Sequence, residues 1–456
     1  MVDGLTRFLN QPRWRLALAG AITAAALIYL SYWAGIPERG PVAFLLGIAA
    51  LVAVTLASGA AAWRLAGRVA SANEISSSSS IAGVATRRWF ATLLAIATLS
   101  LTFGGFWDEV WHRKYGLPFG EDLLWRPHLL IYMGLLLPSA LAAVSVILLL
   151  LRGRGKLVDR VRGDRNLTLL VILGGFLLFA VPADPVWHRL YGEDISAWSL
   201  PHLVLMLSAL MVAVLGVRLH LSTTPARRDW AHPTAAPPSL LVVALFSGAA
   251  SLMAQVLIGD FAAAGATVIE RPVWLLPALM TGLALMLGTA ANHASRTYGA
   301  ASAVGVLTIA MRYGLVLAFD FPEIQPSAWL PWLPPLVALD AWYAFRVAGR
   351  RPPASAMASA GAVLVGLAAG LALIPNFYSY IRFTPIDFVV SLAMGGIVAA
   401  AAIWLGKMLG DFVGSNGEGV PAERAPVPRR ASPAPALLLG WLAFVVYFVA
   451  TSTPPT

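Results

Sequence analysis

Residues 126–151 read RPHLLIYMGLLLPSALAAVSVILLLL. After Arg126 no Asp, Glu, Lys or Arg interrupts the run, so a helix built from it has no charged face. At about 1.5 Å of rise per residue, such a run crosses a bilayer core of roughly 30 Å. Working outward, comparable runs lie near 16–34, 41–63, 88–107, 166–183, 199–219, 239–259, 272–292, 299–319, 329–347, 357–374, 385–406 and 436–452. The pattern predicts an all-α fold: a polytopic transmembrane helical bundle of about thirteen spans, built from helical hairpins. Composition agrees, with 59% hydrophobic residues, only 12% charged and a mean hydropathy of +0.75. A soluble domain carries about twice that charge. Residues 16–34 resemble a signal peptide in length, but no small-x-small cleavage site follows them, and they are read as a retained first helix.

Four segments are expected. Residues 1–87 hold the first two spans and a Ser-rich loop (SANEISSSSS, 71–80). Residues 88–220 hold spans three to six, 238–410 hold further hairpins, and 411–456 hold a Pro/Ala-rich linker and the last span. A P-loop, a dinucleotide glycine fingerprint and a Gly-x-Ser-x-Gly elbow are all absent from the sequence.

With the N-terminus inside, the segments that fall on the cytoplasmic side hold 24 of the 32 Lys and Arg residues. Among them are Arg7, Arg13, Arg15, Arg64, Arg68, Arg87 and Arg88, and clusters over 152–165, 346–351 and 407–430. This is the positive-inside asymmetry. It predicts a multi-pass protein of the cell (inner or plasma) membrane, with the lipid bilayer as its partner. The formal charge of +10 is then a topology signal and calls for no nucleic acid. There is no cysteine, so a metal site must use nitrogen and oxygen donors.

Two stretches repeat each other. Residues 107–134 read WDEVWHRKYGLPFGEDLLWRPHLLIYMG, and residues 184–207 read DPVWHRLYGEDISAWSLPHLVLML. Each carries Asp, His four residues on, an acidic pair, a Trp and Pro-His-Leu. Four of the chain's seven histidines are here. Both stretches fall on the side expected to be extracytoplasmic. Asp108, Asp184 and Asp260 are spaced at intervals of 76 residues. A third copy is expected at Asp260, with Ala264 and Val273 in the histidine slots, and a weaker fourth at Asp320 with Trp329 and Pro331.

Asp and His four apart share one face of a helix. Asp108 and His112 can thus address one ion if the helix continues through Trp111, and so can Asp184 and His188 if it continues through Trp187. His128 and His202 arrive from the start of the next helix, each behind a proline suited to a first helical turn. The expected metal ligands are therefore Asp108, His112 and His128, and Asp184, His188 and His202. Two imidazoles and a carboxylate suit Cu(II), non-haem Fe(II) or Zn(II). The competing reading is an aromatic belt, which Trp107, Trp111, Trp125, Trp187 and Trp198 fit. Tyr115 and Tyr191 recur three residues after the first His of each copy. Glu121, Asp122, Glu193 and Asp194 are candidate outer bases, with Arg113, Arg126 and Arg189 expected to pair with them. His220 and His232 read as solvated, and His293, after Asn292, as a local hydrogen-bonder.

The order Asp-x-x-Trp-His, acidic residue, Pro-His resembles one membrane subunit of particulate methane monooxygenase and ammonia monooxygenase over roughly residues 100–215. In that family the pattern occurs twice, as an Asp, His, His copper site followed by an Asn, His, His site. By order, Asp108, His112 and His128 match the first site; by local detail, the copy at Asp184, His188 and His202 does. This chain is longer than that membrane subunit, both its copies begin with Asp, and its first loop is longer. The soluble copper-binding domain that another subunit of those enzymes carries is not encoded. The resemblance implies copper, not activity on methane or ammonia.

The sequence therefore reads as an integral membrane metal-binding protein, with copper expected and Fe(II) or Zn the alternatives. Its expected role is a membrane oxidoreductase or monooxygenase-like component acting on a small hydrophobic substrate, with other membrane subunits or a copper donor as partners. The rivals are an extracytoplasmic copper or zinc handling or transport protein, and a metal-free scaffold subunit. No catalytic residue is assigned.

Overall fold

The computed structural model describes residues 82–115, 126–152, 164–191, 200–223, 239–262, 272–319, 330–349, 355–377, 383–414 and 434–452, with isolated positions within 18–53 and 155–160. Among them every regular element is helical, and there is no strand. The continuous helices are α1 (Val84–Tyr115), α2 (Arg126–Arg152), α3 (Arg165–Tyr191), α4 (Leu200–Leu221), α5 (Leu240–Ala262), α6 (Leu275–Ser295), α7 (Ala300–Phe319), α8 (Leu333–Ala348), α9 (Ala356–Phe377), α10 (Pro385–Gly414) and α11 (Ala434–Ala450). Each overlaps one of the apolar runs read from the sequence. Eight of the described helices are long and apolar enough to cross a membrane, and Leu240–Gln255 and Pro435–Ala450 form shorter apolar helices. Leu151, Leu178, Leu317, Val365 and Ile386 stand exposed on these helices, an outer surface suited to acyl chains.

The chain divides into two compact units. One comprises Met1–Ile81, Ser139–Ser208 and Ala262–Glu270; the other comprises Ala82–Pro138, Ala209–Phe261 and Arg271–Thr456. The division falls inside α2 at Pro138, where a proline removes an i→i−4 hydrogen bond, and inside α4.

In the second unit, small residues let helices approach backbone to backbone, as in membrane-type packing. A Cβ at Gly406 of α10 would collide with the Met286 carbonyl and approach Thr289 Cβ to 2.8 Å on α6. One turn on, a Cβ at Gly410 would collide with His293 Cβ and lie 2.7 Å from the Ala290 carbonyl. The α6–α10 crossing is therefore set by glycines four residues apart. Gly406→Ala is expected to cost about 1–3 kcal/mol through overpacking, read as a lower apparent melting temperature. An unchanged melting temperature would show that the two backbones do not meet there.

Hydrogen bonds also fix which helix ends lie together in this unit. Gln255, late in α5, donates to the Gly105 carbonyl of α1 at 2.9 Å, and Arg126 at the start of α2 donates to Phe448 O at 2.9 Å and Thr451 Oγ1 at 2.8 Å. At the other end of α5, Ser239 meets His220 Nε2 of α4 at 3.0 Å, and Arg218 donates to the Phe412 carbonyl of α10. The end of α11 thus lies with Asp108 and Arg126, and the end of α10 lies at the opposite end of the bundle. The sequence reads His220 as solvated; in the structure it bridges α4 and the start of α5.

Candidate metal centre

Helix α1 runs unbroken through Trp111 to Tyr115, and α3 runs through Trp187 to Tyr191. That is the continuity that places Asp108 and His112, and Asp184 and His188, one turn apart. The following helices start at Arg126 and Leu200, so Pro127-His128 and Pro201-His202 lie in their first turns.

Close approach of α1 and α2 brings the first pair together. A Cβ at Gly104, one turn before Asp108, would lie 2.8 Å from Ile131 N and 3.1 Å from the Pro127 carbonyl. Further along the hairpin, a Cβ at Gly134 of α2 would lie 2.8 Å from the Ala97 carbonyl. With the backbones this close, His128 Nε2 sits 2.9 Å from Asp108 Oδ1, the side chains being 19% and 21% exposed. In the other unit the second copy repeats the contact: His202 Nε2 lies 3.5 Å from Asp184 Oδ1, at 35% and 24% exposure. Ala180, 76 residues after Gly104 and fully buried, supplies the small residue one turn before Asp184. Asp184 stands between Pro182 and Pro185, which have no counterpart around Asp108.

Two donors each about 2.1 Å from one ion are separated by about 3.0 Å at a right angle and about 3.4 Å at a tetrahedral angle. The two separations, 2.9 and 3.5 Å, are those of Asp–His ion pairs, and each lies within about 0.1 Å of one end of that range. Among the described residues no three His, Asp or Glu side chains gather into a metal set. The third expected donors, the His112 and His188 side chains, lie outside the described residues, as do Glu121, Asp122, Glu193, Asp194, Trp125, Trp198 and His232. In the third copy, Ala264 and the Asp260 side chain also lie outside them, as do Asp320 and Trp329 of the expected fourth.

The aromatic residues are placed differently from a belt. Trp107, Trp111 and Trp187 are buried by protein. Trp107 packs edge-on to Trp111 at 5.1 Å, against Phe319 of α7 at 5.8 Å and against Phe448 of α11 at 6.0 Å. Tyr115 is exposed beyond Trp111, and Tyr191 lies 4.8 Å from Trp187. The belt reading of the three described tryptophans is corrected. An apolar ring near a helix end carries the same sequence signal whether it meets lipid or a neighbouring helix. Arg126, expected to pair with a motif acid, is engaged by α11, and its guanidinium lies 5.2 Å from the centre of the Phe448 ring.

Comparisons with known protein families, with curated proteins and with solved structures find no match to this chain.

Sequence reasoning missed a second polar cluster at the opposite end of the unit. His293 Nδ1 lies 3.0 Å from Asp411 Oδ1 of α10, and its Nε2 lies 3.3 Å from the Tyr343 hydroxyl of α8. Lys407 Nζ donates to Asp411 Oδ2 at 3.0 Å. Next to it, Asn292 Nδ2 donates to Asp340 Oδ1 at 2.7 Å, and Ser302 N donates to Asp340 Oδ2 at 2.7 Å. The sequence reads His293 as a local hydrogen-bonder; its partners are 118 and 50 residues away. The available signal was Asp340 and Tyr343 inside the apolar run at 329–347, with His293, Lys407 and Asp411 just past the ends of the runs at 272–292 and 385–406.

Proposed function

We propose that this chain is a multi-pass membrane protein whose two Asp–His–His motifs bind copper, in a membrane oxidoreductase or monooxygenase-like assembly. The observation that carries the reading is the repeated contact across a helical hairpin: Asp108 with His128, and Asp184 with His202, at ligand-like separations. A single Asp–His contact is ordinary. The same pair in the same order in two copies asks for a shared purpose. His112 and His188, four residues on in the same unbroken helices, complete each set in this reading. A two-histidine, one-carboxylate set leaves coordination positions open, and a copper ion bound there would supply one-electron and dioxygen chemistry. The local resemblance to a membrane subunit of the particulate methane and ammonia monooxygenases favours copper over Fe(II) and Zn. The surrounding helices would hold a small hydrophobic substrate.

In this reading about thirteen spans place the N-terminus in the cytoplasm, with both motif loops extracytoplasmic in an inner or plasma membrane. The placement of Phe448 and Thr451 beside Arg126 supports putting the end of α11 on the motif side. Expected partners are other membrane subunits or a copper donor.

The test is metal analysis of the purified full-length protein beside a His112→Ala, His128→Ala, His188→Ala, His202→Ala variant. Copper retained by the parent and lost from the variant supports the reading. Equal, negligible metal in both after copper loading leaves the Asp–His pairs as structural ion pairs, as in a scaffold subunit. Zinc in place of copper turns the reading towards metal handling.

A further inference from the structure

Between α5, α6, α7 and α8 lies a cavity of about 30 Å³ that opens outward and shares no residue with either motif. Its walls are apolar, with Ala254 of α5, Leu283 and Leu287 of α6, Val304 of α7 and Leu336 of α8. Among the described residues no charged side chain lines it. Two lining residues are polar: Thr308, in the middle of α7, and Trp332, at the cap of α8, 5% and 4% exposed. Neither Thr308 Oγ1 nor Trp332 Nε1 has a hydrogen-bond partner among the described residues. On α1 the buried Thr98, Ser100 and Thr102 each donate to the carbonyl four residues back. The matching acceptor for Thr308 is the Val304 carbonyl, which accepts from Ser247 of α5 at 3.1 Å instead. Glycines set the place of both donors. A Cβ at Gly370 of α9 would collide with the Pro331 carbonyl, and one at Gly366 would lie 2.6 Å from the Pro334 carbonyl, which fixes the start of α8. A Cβ at Gly305, one turn before Thr308, would lie 2.7 Å from Leu336 Cδ1, so α7 and α8 also meet closely.

We propose that this cavity binds the carbonyl end of a small, neutral, lipid-soluble ketone, with Trp332 Nε1 and Thr308 Oγ1 both donating to its oxygen. A buried donor left unpaired is costly. An indole N–H can only donate, and a threonine hydroxyl can turn its hydrogen to suit. A carbonyl oxygen answers both, because it offers two lone pairs and carries no hydrogen of its own. A hydrocarbon of the same shape would leave both donors unpaired. An ion is disfavoured, since the wall supplies no countercharge. Size sets the pose. The cavity admits about two water-sized groups, so the carbonyl and one flanking methyl enter and the alkyl tail stays in the mouth. Ala284, Ile309 and Leu333 at the cavity are half-buried, and the nearby Val306 of α7 and Val337 of α8 are exposed. The tail therefore runs out onto an apolar surface. Binding forms two hydrogen bonds and breaks no covalent bond.

This inference is independent of the metal reading, and the full-length chain in lipid nanodiscs tests it. Tryptophan indoles labelled with nitrogen-15 are followed while 2-heptanone is added. One of the sixteen indole N–H signals should move downfield and saturate, and that signal should be the one missing from Trp332→Phe. Thr308→Val, which keeps the shape and removes the hydroxyl, should weaken binding by about two- to tenfold, the worth of one hydrogen bond. The alkene 2-methyl-1-heptene, in which a methylene replaces the oxygen, should leave the Trp332 signal in place. Should Trp332→Phe not fold, Ala284→Leu at the mouth identifies the same signal, because its shift with ketone should disappear. A Trp332 signal that never moves would overturn the proposal and leave the two donors to ordered water. An equal response to ketone and alkene, or an affinity that neither Thr308→Val nor Ala284→Leu changes, would overturn it as well.

Discussion

Asp108→Ala and Asp184→Ala are each expected to remove about half of the copper bound by the full-length protein, and the double variant nearly all of it. Each aspartate belongs to a separate hairpin in a separate compact unit. Taking away an anionic donor leaves two imidazoles, which give neither the charge nor the donor number that holds a divalent ion. Removing even a group that only orients a ligand costs about 10–100-fold in metal affinity, so losing a ligand should cost more than about 100-fold. Asp260→Ala supplies the internal control. It occupies the same interval in the chain, but Ala264 and Val273 stand where the other copies have histidine. Its copper content should equal that of the parent. Equal loss from Asp260→Ala and Asp184→Ala would show that the aspartates hold helix ends in place and that the ligand assignment is wrong.

The described helices were legible because each is an apolar run bounded by charge or by Pro and Gly. In α2, for instance, the run predicted over 126–151 became the helix Arg126–Arg152. The Asp–His contacts were legible for a different reason: repetition. A chain that writes the same Asp, His and Pro-His twice reveals which residues belong together, even when 19 or 17 residues separate Asp108 from His128 and Asp184 from His202. The His293 cluster had no such help. Its members occur once each, on three helices, and their meeting depends on the α6–α10 crossing that Gly406 and Gly410 permit. Helix-packing partners leave no periodic trace in a uniformly apolar helix, because every face is apolar. The same uniformity hid the burial of Trp107, whose neighbours Phe319 and Phe448 come from α7 and α11.

Gly104→Leu should disable the first motif without touching any expected ligand. At this position α1 offers no side chain, and the Pro127 carbonyl and Ile131 amide of α2 come close enough that even a Cβ would meet them at 3.1 and 2.8 Å. These atoms flank His128, and Asp108 stands one turn beyond Gly104 on the same face. A leucine would drive the start of α2 outward. A displacement of about 1 Å or more is enough to take Asp108 and His128 out of reach of a common ion, since ligand distances hold to about 0.2 Å. Overpacking of this kind costs about 1–3 kcal/mol, and Gly104→Ala should show a smaller form of the same defect. Copper at the first site should be lost while the second site, built around Ala180, Asp184 and His202, keeps its share. Spectroscopy of the retained copper would then report one Asp–His–His environment in place of two. Full copper retention in Gly104→Leu, with the protein still monodisperse, would mean that the α1–α2 approach does not position the pair. Loss from both sites would mean that the two motifs depend on one another.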